Sequence, residues 1–344
     1  MPDIKVPDIK LLDCTLRDGG NVNNCLFDTY TPHIIQGLVD AGLDIVEVGF
    51  IRDVEYDPRK TIYTKAEDSY NILKDIDRKQ ALFSVLVEAK EDVTKQFPIA
   101  KMKYTDQSGL DLIRVCIWER LMEDHLEYCR MVKDYGYNIT IQPTAVAHYT
   151  DEKFIRLCEA ANEIQPFALY LVDTFGTQSS TQIMHLSELA DKHLDKNIRL
   201  GYHGHNNKMQ ALACAESFLR MGMDRGLNLD GSIGGMGKGP GNLQTEVIMD
   251  DLNEMYGMNF DVEKICILYE KYIKEFYKED FWGYSMYHFI GSREIATQYY
   301  ASYFMEKDYG EETFIKFLKG MDILNKGRFS AQLVEDRLKE LGLK

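Results

Sequence analysis

Two histidines one residue apart close an apolar run in "RLGYHGHNN" (199–207). In an extended strand alternate side chains share a face, so His203 and His205 project the same way, and Gly204 leaves the backbone between them uncrowded. Two converging imidazoles suit a divalent metal, although an isolated H-x-H is as often a solvated strand end. A third ligand has to come from elsewhere in the chain. The stretch "LLDCTLRDGG" (11–20) offers Asp18, which follows an apolar run and precedes Gly19 and Gly20, whose missing side chains admit a ligand close to the backbone. Asp18 is therefore the expected third ligand. Arg17 beside it sets a planar cation next to the metal, suited to a carboxylate or an enolate oxygen; the alternative is a purely structural ion pair.

Other polar residues interrupt apolar runs: Glu47 in "IVEVGF", Gln142 in "ITIQPT", and Asp173 and Thr174 in "LVDTFG". A carboxylate in such a run is costly unless paired, so a structural salt bridge and a site residue are the two readings of each. Asp173 is expected to join Arg17 in catalysis, and Glu47 and Thr174 to face the substrate. A glycine-dense segment, "GSIGGMGKGPGNLQTE" (231–246), opens a helix. It is not a nucleotide loop, because Ser232 stands five residues before Gly237 and Gly239 follows Lys238, and no G-x-G-x-x-G register fits. It can bring backbone N–H groups and a helix N-terminus to an anion, with Asn242 reaching the metal and Lys238 meeting negative charge.

These residues need a frame that gathers them. Short β-branched runs over 9–16, 44–50, 81–89, 110–117, 138–146, 168–175, 198–205 and 226–233 read as strands. Helical patterns lie over 31–41, 65–76, 93–105, 119–135, 151–164, 180–194, 208–221 and 242–256. In "TPHIIQGLVDAGL", Ile34, Ile35, Leu38 and Val39 share a face, with Thr31 as N-cap, Pro32 at the first helical position and Gly42 as stop. Strand followed by helix, eight times over, predicts a TIM (β/α)8 barrel in the α/β class, with an open doubly wound sheet as the alternative. In such a barrel the strands' C-terminal ends, where these polar residues fall, form the active-site mouth. Beyond residue 256 the pattern turns helical and aromatic, so residues 1–256 read as the barrel domain and 257–344 as a helical C-terminal extension, its Tyr and Phe excess serving core packing.

With "LRDG" after the first strand, "HGHNN" after the seventh and "GKGPGN" after the eighth, the chain resembles the metal-dependent aldolase and lyase superfamily. That superfamily includes hydroxymethylglutaryl-CoA lyase, isopropylmalate synthase and 4-hydroxy-2-oxovalerate aldolase. The likeness covers roughly residues 9–256. The glycine loop is closer to the 4-hydroxy-2-oxovalerate aldolases, since the acyl-CoA lyases carry a cysteine where this chain has Met236. The resemblance implies Asp18, His203 and His205 as ligands of Mn²⁺ or Mg²⁺, with Asn242 a ligand in some members, and Arg17 steadying an enolate. The stretch "WGYSMYHF" (282–289) is similar to a tyrosine-bearing segment of the aldolases, implying that Tyr284 or Tyr287 reaches the substrate. Those aldolases place a histidine base three residues after the motif Asp, where this chain has Asn21.

The expected activity is cleavage or formation of a C–C bond through a pyruvate-type enolate, with a 2-oxo acid and an aldehyde as small-molecule partners. A Claisen-type synthase using acyl-CoA and a non-catalytic metal-binding scaffold are the competing readings. A homo-oligomer or a dehydrogenase partner is compatible with such an aldolase, but no residue marks a docking surface. A net charge of −15 with no basic stripe disfavours nucleic acid. No apolar run reaches membrane-span length and "MPDIKVPDIK" lacks a signal segment, so a cytoplasmic protein is expected. The seven cysteines are scattered without C-x-x-C spacing and read as reduced thiols, with Cys14 nearest the expected site.

Overall fold

Each expected apolar run becomes a parallel strand in a computed structural model that describes residues 8–88, 109–279 and 282–343. The strands are β1 (Ile9–Asp13), β2 (Ile45–Ile51), β3 (Ile62–Tyr63), β4 (Leu82–Glu88), β5 (Leu112–Ile117), β6 (Asn138–Pro143), β7 (Ala168–Asp173), β8 (Arg199–Gly204) and β9 (Leu227–Gly231). They pair in the order β1-β9-β8-β7-β6-β5-β4-β2, and β1 pairs back onto β2 through Leu12↔Ile45 and Asp13↔Val46, closing an eight-stranded parallel barrel. The short β3 lies outside this ring, on the mouth end of β2. The predicted TIM barrel is the observed fold.

Alternation along the strands sorts the side chains. Leu200 and Tyr202 of β8, like Val46, Val48 and Ile51 of β2, point outward into the main core under the helices. Leu12, Cys14, Ile45 and Leu112 fill the barrel interior. On β2 the phase shifts by one residue at a bulge between Glu47 and Phe50. Gly49 makes it possible: its φ is +148°, and a Cβ there would lie 2.1 Å from the Thr61 carbonyl oxygen. The shift turns Phe50 inward, above Glu47.

Between the strands run α1 (Tyr30–Asp40), α2 (Tyr70–Leu73), α3 (Met122–Asp134), α4 (Asp151–Ile164), α5 (Ser180–His193), α6 (Ala211–Leu219) and α7 (Thr245–Tyr256). The helix expected over 93–105 lies outside the described residues. The α1 face of Ile34, Ile35, Leu38 and Val39 is buried as its spacing predicts, but its start differs. Thr29 occupies the N-cap without a side-chain bond and Thr31 falls inside the first turn, because the turn before it already has helical geometry. Elsewhere caps do act: Thr150 accepts from Lys153 N at 3.4 Å, and Ser179 and Gln182 form a capping box.

Further helices follow: α8 (Val262–Leu268), a π-helical turn (Tyr269–Ile273), α9 (Lys274–Glu279), α10 (Met286–Arg293), α11 (Gln298–Lys307), α12 (Glu311–Leu318), α13 (Ile323–Gly327) and α14 (Ala331–Glu340). The first of these pack on the barrel, where Leu268 fills the space over Gly37 and Phe276 meets Phe27 edge-on at 5.5 Å. A second core starts at Tyr287 and is built from Tyr300, Phe304, Phe314, Phe317, Val334 and Leu338. The aromatic excess is thus core packing, with Phe304 at 4.7 Å from Phe314 and 5.0 Å from Phe317. No helix among the described residues is long and apolar enough to cross a membrane.

One buried carboxyl makes the fold's stability pH-dependent. Asp13, at the end of β1, accepts from Thr15 N (2.9 Å) and Thr245 Oγ1 (2.6 Å), yet burial pushes its pKa up to about 6. The folded state therefore binds this proton more tightly than the unfolded chain, whose value is 3.8. Stability from this group is present below pH 4 and is lost as pH rises through 6, a change on the order of 3 kcal/mol. In Asp13→Asn the amide can donate to Thr245 Oγ1 without ionising. Urea midpoints at several pH values should show the variant gaining on the wild type between pH 4 and 6.5; parallel profiles would contradict this.

Candidate active site

The two ends of the chain's barrel segment meet at the mouth. Asp18 follows β1 as the N-cap of a short 3-10 turn (Gly19–Asn21), His203 lies on the inner face of β8, and His205 sits just beyond it. Their ligand atoms all lie within 4.8 Å of one another, and all three residues are buried. Asp18 Oδ2 is 3.1 Å from His205 Nε2 and 3.7 Å from His203 Nε2. The opposite ring nitrogens are held by the protein: His205 Nδ1 lies 2.9 Å from the Asp173 carbonyl oxygen and His203 Nδ1 lies 2.9 Å from Asp230 Oδ2. A carbonyl can only accept, so His205 carries a proton on Nδ1, and Nε2 is the ring nitrogen that faces Asp18.

Asn242 joins this cluster. A bridge pairs it with His205, and its Nδ2 donates to the Met236 carbonyl (3.1 Å) and Ser232 Oγ (3.4 Å). Its Oδ1 is then buried with no partner among the described residues. Such an oxygen costs about 1–3 kcal/mol unless something occupies it. One carboxylate, two oriented imidazoles and one unpartnered amide oxygen form an N/O donor set that fits a divalent ion.

Beneath the cluster a chain of alternating charges crosses the barrel. Arg17 Nη1 lies 3.3 Å from Asp18 Oδ1, and its Nε donates to Glu47 Oε2 at 2.6 Å. The same Glu47 oxygen is 2.9 Å from Arg114 Nη1, while Arg114 Nη2 pairs with Asp230 and donates to Gln142 Oε1 at 3.2 Å. Asp230 completes the run at His203. Glu47 and Arg114 are fully inaccessible to solvent, and the Arg114 guanidinium also covers the Tyr170 ring at 4.8 Å. Burial would push Asp18 up, but the Arg17 charge and the histidine contacts hold its carboxyl well below the usual range. Burial likewise opposes charge on Asp230, and Arg114 outweighs it.

The remaining expected residues separate. Glu47 faces two arginines in the interior and so orients Arg17. Asp173 turns its carboxylate into its own loop, accepting from Thr177 N and Gln178 N at 3.0 Å each; the backbone carbonyl is what serves the cluster. Thr174 Oγ1 accepts from Ala145 N at 2.7 Å and braces the neighbouring loop. Lys238 lies over the Tyr299 ring, 3.6 Å from its centroid, and Tyr287 is packed against Phe314 in the second core. Both make aromatic contacts with the C-terminal helices. Asn21 donates its Nδ2 to Asp18 Oδ1 at 2.9 Å and so supports a ligand. Two residues were missed, Arg114 in "LDLIRVCI" and Asp230 in "GLNLDGSI", although each interrupts an apolar run just as Glu47 does.

Comparison with known proteins agrees with this geometry. A family model described as HMGL-like matches residues 8–268. Oxaloacetate decarboxylase from Mycobacterium tuberculosis is 25% identical over 248 residues, which is 70% of this chain and 68% of that protein. A 4-hydroxy-2-oxovalerate aldolase from Bacillus thuringiensis is 23% identical over 278 residues, 77% of this chain and 76% of the other. The crystal structure of HMG-CoA lyase from Bacillus subtilis shares the fold, with a TM-score of 0.62 at 22% identity over 80% of this chain and 95% of that one. The matched segment contains all eight barrel strands and all four candidate ligands, so the chain belongs to the HMGL-like family, as an enzyme of the carbon–carbon lyase class.

Proposed function

We propose that the chain is a divalent-metal-dependent aldolase that breaks or forms a carbon–carbon bond of a 2-oxo acid through a pyruvate-type enolate. The observation that carries this reading is the buried Asp18–His203–His205 cluster, with Arg17 against one side of it. Asp18, His203, His205 and Asn242 would hold Mn²⁺ or Mg²⁺, which when bound supplies Lewis-acid stabilisation of charge developing on the 2-oxo group. Arg17 is fixed through Nε by Glu47, so its terminal nitrogens are oriented before substrate arrives, and their fork suits a carboxylate or an enolate oxygen.

In the cleavage direction a 4-hydroxy-2-oxo acid loses its hydroxyl proton as the C3–C4 bond breaks. The aldehyde departs, the bond's electron pair remains as the enolate, and protonation at C3 gives the product 2-oxo acid. Asn21 cannot take that hydroxyl proton, since an amide is no base at neutral pH. This one residue supports a second reading, decarboxylation of a 2-oxo diacid such as oxaloacetate. There the C3–C4 bond breaks with loss of CO₂, the same enolate results, and no hydroxyl proton has to be removed. The similarity to an oxaloacetate decarboxylase supports the same alternative.

Exchange of the pyruvate methyl protons for deuterium, followed by NMR with Mn²⁺ present, tests the enolate directly. Exchange together with cleavage of 4-hydroxy-2-oxo acids is the expected result. Release of CO₂ from oxaloacetate with no aldol cleavage would replace the first reading by the second, and absence of exchange with every metal overturns both. Thiol release from acetyl-CoA in the presence of 2-oxo acids would instead indicate a Claisen-type synthase. Arg17→Ala should slow exchange on the order of 100- to 1000-fold while calorimetric Mn²⁺ affinity stays close to wild type. A parallel loss of metal binding would move Arg17 from the chemistry to the scaffold of the centre.

A further inference from the structure

We infer that the barrel mouth carries a second anchor, centred on Arg52 and Lys60, for an anionic group at the far end of the substrate. The inference rests on the aldolase reading above and specifies which acceptors that site takes.

It begins with the β2 bulge. The extra residue at Gly49 puts Phe50 in phase with Glu47 on the inside of the barrel, and alternation carries Arg52 onto the same face. The Arg52 guanidinium accordingly lies 3.7 Å from the Phe50 ring centroid, and its Nη2 is 3.0 Å from Glu88 Oε2. Glu88 is paired in register with Cys116, and Cys116 with Gln142, so the Arg52–Glu88 pair sits on the same rim as the catalytic cluster. Glu88 and Arg17 both act on the Cys116 thiol, which burial pushes up to about 12. Between the two charged groups the floor is apolar, made of Cys25, Phe50, Ile62 and Leu86 with Cys116 against them.

Beyond Arg52 opens a cavity of about 580 Å³, lined by Asn24, Arg52, Tyr56, Asp57, Lys60 and Ile62 among others. Two acids share this lining: Asp57 is paired with Arg59, at 3.0 and 2.8 Å, and Glu55 is exposed at the cavity's solvent side. Arg52 Nε is buried with no hydrogen-bond partner among the described residues, and Lys60 stands in the same lining, where its charge also acts on Asp57. The loop that forms one wall is strained: Asn24 and Cys25 are consecutive non-glycine residues in the left-handed region, with φ of 54° and 59°. Strain of this kind persists where surrounding structure enforces it, often at ligand clamps.

A small apolar floor leading from Arg17 to two cations fits an acceptor with a short carbon chain ending in a carboxylate or a phosphate. The Arg52–Glu88 pair is partly exposed, so it is weak and readily exchanged for a bidentate anion.

The test compares matched acceptors for pyruvate: glyoxylate against acetaldehyde for the carboxylate, and glyceraldehyde 3-phosphate against glyceraldehyde for the phosphate. The wild type should favour at least one anionic member, and Arg52→Gln should reduce that preference on the order of 10- to 100-fold, with Arg52→Lys recovering part of it. Lys60→Gln should reduce it less, because Lys60 offers a point charge where Arg52 offers a planar fork. Calorimetric binding of 2-phosphoglycolate and malonate reads the anchor without turnover, and Arg52→Gln should weaken whichever anion binds by about tenfold or more. Equal kcat/KM within both pairs, or equal loss for both members in Arg52→Gln, overturns the anchor while leaving the enolate reading intact. Failure of pyruvate exchange in the wild type overturns the enolate reading alone, and the calorimetric result then decides the anchor.

Discussion

Alanine in place of Asp18 is expected to abolish both divalent-metal binding and turnover. Asp18 Oδ2 is the carboxylate oxygen that stands between the two imidazoles, 3.1 Å and 3.7 Å from their Nε2 atoms. Without it, two neutral rings and the Asn242 amide would face a divalent charge with no anionic ligand among the four. Lewis-acid assistance of an enolate contributes several kcal/mol, so its loss should slow exchange and cleavage by about 10³-fold or more. A second measurement separates this from misfolding. Metal that binds only the folded state raises its stability by about 2.7 kcal/mol at a hundredfold excess over Kd, which appears as a rise in Tm. The wild type should show that rise with Mn²⁺ and Asp18→Ala should show none. Asp18→Asn, which preserves the acceptor for Asn21, should behave like the alanine variant; either variant keeping both the rise and the activity would place the centre elsewhere.

The metal cluster was readable because it needs only local rules. Strand alternation puts His203 and His205 on one face, barrel topology brings the ends of the first and seventh expected strands to one mouth, and Asp18 is the acidic residue that precedes the Gly19–Gly20 pair there. The charge chain below was half read. Glu47 stands out as a carboxylate in an apolar run, but its partner Arg114 is 67 residues away and Asp230 is a further 116, and only closure of the barrel sets them face to face. Asp173 shows a different limit: its contribution is a backbone carbonyl, which every residue has, so side-chain identity could not announce it. Tyr287 was expected to reach the substrate, and the structure shows its ring packed in the second core. In a segment this rich in aromatics, the ring that enters the core and the ring that stays exposed are chosen by helix orientation, and Tyr284, half exposed, is the one left outside. The bulge at Gly49 did carry a signal, a glycine inside a strand pattern, and its consequence was a changed facing for everything after it on β2.

That buried charge chain gives the second large expected effect. Arg114→Met should destabilise the metal-free protein by about 3–5 kcal/mol, because it leaves Glu47 and Asp230 charged, fully buried and without their shared cation. It should also weaken Mn²⁺ binding by about 10- to 100-fold, since Asp230 holds His203 Nδ1 and is itself held by Arg114. Urea unfolding of metal-free protein measures the first loss and calorimetry the second. The two losses have different causes, and a combined variant separates them. Arg114→Met with Glu47→Gln and Asp230→Asn removes the two carboxylate charges that Arg114 had shared and should recover most of the stability, as neutral replacements of buried ionic groups often do. It should not recover metal affinity, because an amide at position 230 orients the imidazole less firmly than a carboxylate fixed by a guanidinium. Recovery of both would mean that Arg114 serves the core alone; recovery of stability without affinity means that the charges are kept, at a cost to the fold, for the direction in which His203 points.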